Sequence, residues 1–153
     1  MTLEQSFGEV YALFKLNFYR SIFEQVHERE GSLTAMEAFS IEVIYALGEP
    51  TIGQFAQFCG ISQPGATYKV AALVKKGYLE KLPSDQDKRE YHLRATDKFC
   101  AYYGVNHAYI RTVMGRIRER FTPEQTAAFG EMLQVIAREL MPECQPNRSE
   151  DDA

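Results

Sequence analysis

A helix followed by a very short turn is indicated by residues 51–77, which read TIGQFAQFCGISQPGATYKVAALVKKG. Thr51 and Gln54 have the spacing of a capping box, in which each side chain accepts a hydrogen bond from the other residue's backbone N–H. The apolar run after Thr51 predicts a helix through Phe58, and Gly60 ends it. Only a few residues then separate this helix from the next one.

The second helix of the pair begins with residues that suit a helix N-terminus. Ser62 is a preferred N-cap, and Pro64 lies in the first turn, where the missing proline N–H costs little. A helix over residues 63–76 follows, with Gly77 as its left-handed stop. Two helices joined in this way form a helix-turn-helix, whose second helix enters the major groove in DNA-binding proteins.

After Gly77 the apolar pattern changes from helical to alternating. Residues 78–82 and 90–94 both read as half-buried strands, and the polar loop 83–89 between them predicts a hairpin with a charged tip. A hairpin in this place is a wing. The predicted fold class is therefore mainly α, a winged helix-turn-helix with a small two- or three-stranded β wing and N- and C-terminal dimerisation helices.

Further helices are predicted on both sides of this unit. Apolar residues recur at three- and four-residue steps over 3–25, a second helix covers 34–47, Thr96 caps a long helix over 97–120, and a last helix ends near residue 141. Capping boxes mark two of the starts: Thr34 with Glu37, and Thr122 with Gln125.

The chain is predicted to form a single winged-helix domain over residues 1–142. Its DNA-binding core spans about 34–96, and residues 1–30 and 97–141 supply the dimerisation helices. Residues 143–153 are acidic and have almost no apolar side chains, so we expect a disordered tail there.

Charge is distributed unevenly along the chain. The net charge is −4, but the lysines and arginines are concentrated in residues 61–120, and both ends are acidic. Because counterion release depends on cations at the interface and not on total charge, this pattern is compatible with a DNA surface in the middle of the fold.

The second helix of the pair has an inner and an outer side. Four apolar residues are expected to face the core: Ala66, Val70, Leu73 and Val74. The predicted DNA-binding residues are Ser62, Gln63, Pro64, Gly65, Thr67, Tyr68, Lys69, Lys75, Lys88 and Arg89. Gln63 can pair with adenine, and Thr67 can contact phosphate or a thymine methyl. The lysines can neutralise phosphates, and the wing tip can reach the minor groove. Asp87 can hold Arg89 by a charge-assisted hydrogen bond.

The sequence resembles the MarR family of bacterial winged-helix regulators. The matching stretches are 33–37, 51–56, 61–67, 73–79, 87–89 and 93–98. The resemblance implies an obligate dimer with interlocked terminal helices, in which Arg89 enters the minor groove and Asp87 orients it. Three positions depart from the family pattern. Tyr68 stands where arginine is frequent, Ala72 where a basic or polar residue is, and Phe99 where glycine is.

The terminal helices have more apolar surface than a winged domain can cover, which predicts a homodimer. The expected interface residues are Phe7, Phe121, Phe129, Leu133, Ile136 and Leu140. A two-fold dimer would place its two recognition helices about 34–36 Å apart and bind a palindromic operator in double-stranded DNA.

A small-molecule effector is implied by the resemblance, because such regulators usually release DNA when an aromatic or anionic compound binds. The chain is therefore interpreted as a repressor relieved by a small molecule. Six aromatic residues are candidates for lining the pocket: Tyr11, Phe14, Phe18, Tyr45, Tyr102 and Tyr103. Aromatics at helical spacing are more often simply core, and this alternative stays open.

The sequence also bears on other classes of function. There is no glycine-rich phosphate loop or serine nucleophile motif, so no enzyme, cofactor or catalytic residue is expected. A winged-helix protein-interaction module without DNA binding remains an alternative, as do redox and zinc sensors. Cys59 is expected to be buried, and the three histidines lack metal-ligand spacing, so no metal site is predicted. The chain has neither a membrane-length apolar run nor a secretory signal, so a cytoplasmic location without membrane contact is expected.

Overall fold

The structure is a computed structural model that describes residues 1–26, 33–87 and 89–145. The side chains of residues 22, 25, 26 and 102–106 are not part of the description. In chain order the elements are α1 (Leu3–Val26), α2 (Ala35–Ala46), α3 (Ile52–Cys59), α4 (Gln63–Lys75), β1 (Leu79–Pro83), β2 (Tyr91–Ala95), α5 (Asp97–Arg120), α6 (Pro123–Glu139) and a 3-10 turn (Pro142–Cys144). The predicted mainly α, winged helix-turn-helix architecture is confirmed.

The wing consists of two antiparallel strands. β1 and β2 pair in the register that places Leu79 opposite Ala95 and Pro83 opposite Tyr91. An isolated bridge between Thr51 and His92 attaches β2 to the start of α3. The wing is thus two-stranded, with a single bridge where a third strand would lie.

The helix starts follow the capping residues in the sequence, with one exception. The capping boxes at Thr34, Thr51 and Thr122 are all present, and Ser62 caps α4. Thr96 occupies the N-cap position of α5, but its side chain caps nothing; its hydroxyl donates to the Gly77 carbonyl at 2.6 Å. Thr96 is thus the N-cap residue that the sequence predicts, but its hydroxyl is directed to the end of α4 and accepts no first-turn N–H.

The core lies between α2, α3, α4 and the hairpin. Its largest fully buried side chains include Phe55, Phe99, Ile41 and Ile44. Phe99 is completely buried and its ring packs against Tyr45 at 5.4 Å, so the residue that departs from the family pattern fills the junction of α5 with the core. Burial of such a side chain contributes about 1.5–3 kcal/mol.

The helices at the two ends of the chain, α1 and α6, bury much less of their surface than the core helices do. Within α6, all of whose residues are described, none is buried. Along α1 the exposed large apolar residues include Leu3, Phe7, Val10, Leu13, Leu16 and Phe23. Apolar faces of this length are rarely left against water and often mark interaction surfaces.

The end of the chain is ordered slightly further than expected. Residues 142–144, placed in part in the disordered tail by the sequence, form a 3-10 turn, and Gln145 Nε2 donates to the Ala137 carbonyl of α6. The remainder of the predicted tail, 146–153, lies outside the described residues.

Candidate nucleic-acid interface

Helix α4 has one side fixed in the core and the other open to solvent. Ala66, Val70 and Leu73 are completely buried, as predicted, and Val74 packs half-buried beside them. The predicted DNA-binding residues of α4 divide into an exposed set and a half-buried set. Gln63, Pro64, Thr67, Tyr68 and Lys75 are exposed, whereas Gly65 and Lys69 are half-buried. The inner contacts therefore fix which residues α4 presents outward.

The turn before α4 sets the direction of its N-terminus. Gly60 has φ 63°, a left-handed conformation that glycine adopts without steric cost, and the Ile61 N–H donates to the Ala56 carbonyl at 3.0 Å. Ser62 Oγ accepts the Gly65 N–H at 3.2 Å, and a Cβ at Gly65 would lie only 3.0 Å from that oxygen. Ser62 and Gly65 therefore determine the backbone geometry at the N-terminus of α4.

The C-terminus of α4 is held by three cationic or hydroxyl contacts. Lys76 Nζ lies 2.6 Å from Glu37 Oε2 on α2, Lys98 Nζ donates to the Lys76 carbonyl at 2.8 Å, and Thr96 donates to Gly77. Gly77 has φ 81°, which allows the chain to leave α4 toward β1. Burial raises the pKa of Glu37, but hydrogen bonds from Lys76 and Thr34 outweigh it, so the net pKa of this carboxyl lies below its ordinary value.

The wing tip is organised by two acceptors. Ser84 is buried, and its Oγ accepts the N–H groups of Gln86 at 3.3 Å and Asp87 at 3.4 Å. Asp87 Oδ1 in turn accepts the backbone N–H of Arg89 at 2.9 Å. The carboxylate thus fixes the Arg89 backbone, where the sequence analysis placed a bond to its side chain. Arg89 is exposed, and Lys88 lies outside the described residues.

The base of the wing is tied to the turn between α2 and α3. Arg94 Nε donates to Glu49 Oε1 at 2.7 Å, and the His92 Nδ1 lies 2.9 Å from the Glu49 carbonyl oxygen. Glu49 has φ 59°, which is unusual for a residue with a side chain. Because Glu49 neutralises Arg94, that cation contributes less to a DNA surface than its sequence position indicates.

A groove of about 260 Å³ lies between α1, α2 and α5. Its lining residues are Phe14, Lys15, Asn17, Phe18, Glu42, Tyr109 and Ile110. Phe14 and Phe18 were predicted for an effector pocket, but two other candidates do not line this groove. Tyr11 stacks with Phe7 at 6.3 Å, and Tyr45 packs on Phe99. The side chains of Tyr102 and Tyr103 lie outside the described residues.

The structure also describes residues that bear on redox sensing, metal binding and membrane insertion. Cys59 is exposed, so the expectation that it is buried was wrong; it ends α3 on the outer side of the turn. Partial burial of the thiol raises the pKa of Cys59, and the nearby Lys69 ammonium only partly lowers it. In the described part of the chain, no three His, Cys, Asp or Glu residues are grouped to hold a metal ion. Over the same residues, no helix is long and apolar enough to span a bilayer.

The chain is similar to known proteins in sequence and in fold. Residues 31–90 match the sequence model of the MarR family. This segment of the chain is therefore similar to the MarR family. The MarR resemblance stated from the sequence motifs is thereby confirmed for this segment. No sequence among the curated proteins matches the chain.

Three solved structures illustrate the shared MarR-type fold. The transcriptional regulator Tm0710 of Thermotoga maritima is 19% identical, with a TM-score of 0.64 over 90% of this chain and 95% of that one. Streptococcus pneumoniae FabT, solved in complex with DNA, is 20% identical, with a TM-score of 0.57 over 91% and 97%. An S. aureus MepR mutant bound to an oligodeoxyribonucleotide is 14% identical, with a TM-score of 0.54 over 92% and 99%.

Proposed function

We propose that the protein is a transcriptional regulator that binds a palindromic operator in double-stranded DNA as a homodimer. Helix α4 would enter the major groove, and Arg89 would enter the adjacent minor groove. The observation that carries this proposal is the two-sided anchoring of α4. Its inner face is completely buried and both of its ends are held by hydrogen bonds, while its outer face is exposed. A preorganised, open helix face of this kind is suited to reading base edges.

The charge and the structural neighbours support a DNA partner. Lys75 and Arg89 are exposed on α4 and the wing tip, where they can neutralise phosphates or enter a groove. FabT and MepR, which share the fold, were solved with DNA or an oligodeoxyribonucleotide bound. The acidic remainder of the chain does not oppose this role, since screening limits its influence to about 8–10 Å at physiological ionic strength.

A second copy of the chain is the proposed cover for the terminal helices. Phe7 is 57% exposed, Phe121 50% and Leu140 65%, and Phe129, Leu133 and Ile136 lie along α6 with no buried neighbour in that helix. A two-fold pair would bury these surfaces and separate two α4 helices by about one DNA turn, ~34–36 Å. Dimerisation would therefore set the spacing at which the two α4 helices contact DNA.

The groove between α1, α2 and α5 is the proposed effector site of a repressor. Its wall on α2 includes Glu42, and the same helix contacts the end of α4 through Glu37 and Lys76. A small aromatic or anionic compound that moved α2 against α1 would change the position of α4. Aromatic lining by Phe14, Phe18 and Tyr109 favours a ring, and Lys15 can pair with an anionic group.

Fluorescence anisotropy with DNA from upstream of the protein's own gene tests the proposal. We expect specific binding that Arg89→Ala weakens by at least roughly tenfold, because each dimer loses two groove contacts. Arg111→Ala is the matched control, since Arg111 is also an exposed arginine but lies on α5. Binding in which both variants behave alike would contradict the wing contact.

A protein-interaction module is the second candidate. Tyr68, on the outer face of α4, is 79% exposed and uncharged, as a residue at a protein interface can be. Absence of specific DNA binding at low salt, together with an intact dimer, would favour this alternative.

A further inference from the structure

The outer face of α4 is chemically unusual for a surface that contacts a polyanion. Its exposed residues are Gln63, Pro64, Thr67, Tyr68, Ala71 and Lys75, and the single cation among them is at the C-terminal end. No arginine occurs in the helix. Guanine is read mainly by bidentate arginine or lysine, and none of the exposed residues in the N-terminal half of α4 is of either type. Lys69, at the middle of the helix, is half-buried.

Instead of cations, this face of α4 has an apolar strip formed by Pro64, Tyr68 and Ala71. Tyr68 lies four residues after Pro64 and three before Ala71, which puts all three on one side of α4. Tyr68 is 79% exposed, more than any other aromatic residue whose exposure is described. This strip lies on the part of the helix that would face the bases under the proposed function. Apolar contact with the C5-methyl group distinguishes thymine in the major groove.

Of the two hydrogen-bonding residues beside the strip, Thr67 is already engaged and Gln63 lies close to a neighbouring helix. Thr67 Oγ1 donates to the Gln63 carbonyl at 2.9 Å, and Gln63 Oε1 lies 3.8 Å from the position of a Cβ on Gly53 in α3. Gln63 therefore folds toward the neighbouring helix, and Tyr68 extends outward from the face. Among the side chains of α4, that of Tyr68 is the one best placed to set base preference.

We infer that Tyr68 is a specificity-determining residue that packs against thymine methyl groups, so that each operator half-site has thymines at the α4 contact and A·T pairs around them. This inference rests on the proposed function. It adds the chemical class of the DNA site: a half-site recognised in the major groove by its methyl groups and not by guanine acceptors.

Uracil substitution provides a direct test, because uracil pairs as thymine does but lacks the C5-methyl group. The full-length protein is first used to select its preferred duplex from a randomised pool. Each half-site thymine of that duplex is then replaced singly by uracil, and dissociation constants are measured for the wild type, Tyr68→Ala and Tyr68→Phe. Uracil placed in the flanking sequence is the DNA control, and thermal unfolding verifies that the variants are folded.

For the wild type we expect one or two thymines per half-site at which uracil weakens binding roughly fourfold, the value for one buried methyl group. Tyr68→Ala should weaken binding to the thymine duplex and be indifferent to uracil there, whereas Tyr68→Phe should keep the wild-type sensitivity. Indifference of the wild type at every thymine, or retained sensitivity in Tyr68→Ala, would overturn the inference while leaving DNA binding intact. Failure to select any duplex would overturn both the inference and the proposed function.

Discussion

Lys76 Nζ and Glu37 Oε2 are 2.6 Å apart, and this contact joins the end of α4 to the first turn of α2. The side chains are 27% and 16% exposed, so solvent screens the pair less than it screens a surface ion pair. Glu37 also accepts the Thr34 N–H at 2.8 Å. One carboxylate thus caps α2 and fixes α4, which makes the orientation of the proposed reading helix depend on α2.

Replacement of Glu37 by Gln should isolate the ion pair, because glutamine can still complete a capping box. We expect a loss of about 1 kcal/mol at neutral pH. The pKa of Glu37 is lowered in the folded chain, so its contribution is complete at neutral pH and is lost as the pH falls through that lowered pKa. Urea unfolding at a series of pH values measures both effects.

Glu24→Gln is the control for that experiment. Glu24 pairs with Arg20 at 3.9 Å, with side chains 72% and 68% exposed, and such pairs contribute little. A wild type and a Glu37→Gln variant with the same stability across the acid range would contradict the role assigned to Glu37.

Thr96→Val should destabilise the chain by about 1 kcal/mol, because the Gly77 carbonyl loses its hydroxyl donor. Thr96→Ser retains the hydroxyl and should remain within about 0.5 kcal/mol of the wild type. Denaturant unfolding of the two variants separates this contact from the packing of the methyl group. A larger loss for Thr96→Ser than for Thr96→Val would assign the effect to the methyl group instead.

Two replacements of Asp87 separate its charge from its hydrogen bond. Asn retains a side-chain oxygen that can accept the Arg89 N–H, whereas Ala does not. We expect Asp87→Asn to bind DNA at least as tightly as the wild type, since it removes a negative charge near phosphates. Asp87→Ala should bind about fivefold more weakly, as one hydrogen bond in the loop is lost. Anisotropy titrations that give the two variants equal affinity would show that charge, and not loop geometry, is the contribution of Asp87.

Leu140→Glu should dissociate the proposed dimer. Leu140 is 65% exposed in the single chain, so the substitution leaves the folded subunit nearly unchanged but places a charge in the dimer interface. A cost of about 2–3 kcal/mol or more per buried charge is expected. Light scattering after gel filtration measures the mass, with Glu139→Gln as the polar control. A mass unchanged from the wild type would place the interface elsewhere.

Helix ends were predictable from the sequence where they depend on residues that are close together in the chain. The capping boxes at Thr34, Thr51 and Thr122 and the left-handed Gly77 involve neighbours in sequence, and each was found where the sequence indicated. The Thr96 contact and the Lys76–Glu37 pair join residues 19 and 39 positions apart, which no local pattern encodes. The helices were therefore predictable from the sequence, whereas the contacts that fix the end of α4 were not.

Parts of the candidate site were harder to predict for the same reason. Ser84, within the polar loop 83–89, was not singled out, although a serine hydroxyl commonly forms turns with the backbone a few residues further on. It is the residue that organises the wing tip. Of the pocket candidates, Tyr45 is 41% exposed and packs its ring on Phe99 of α5, a contact between distant segments. Cys59 is exposed because the turn after α3 carries it away from the core.

The salt dependence of binding to upstream DNA tests the central proposal most directly. If the protein neutralises phosphates as a dimer, the logarithm of its association constant should fall linearly with the logarithm of salt concentration, with a slope of about −0.9 for each phosphate contacted. We predict specific binding and a slope that corresponds to several phosphates. Binding that is absent, or that does not change with salt, would contradict the account and favour an interaction module.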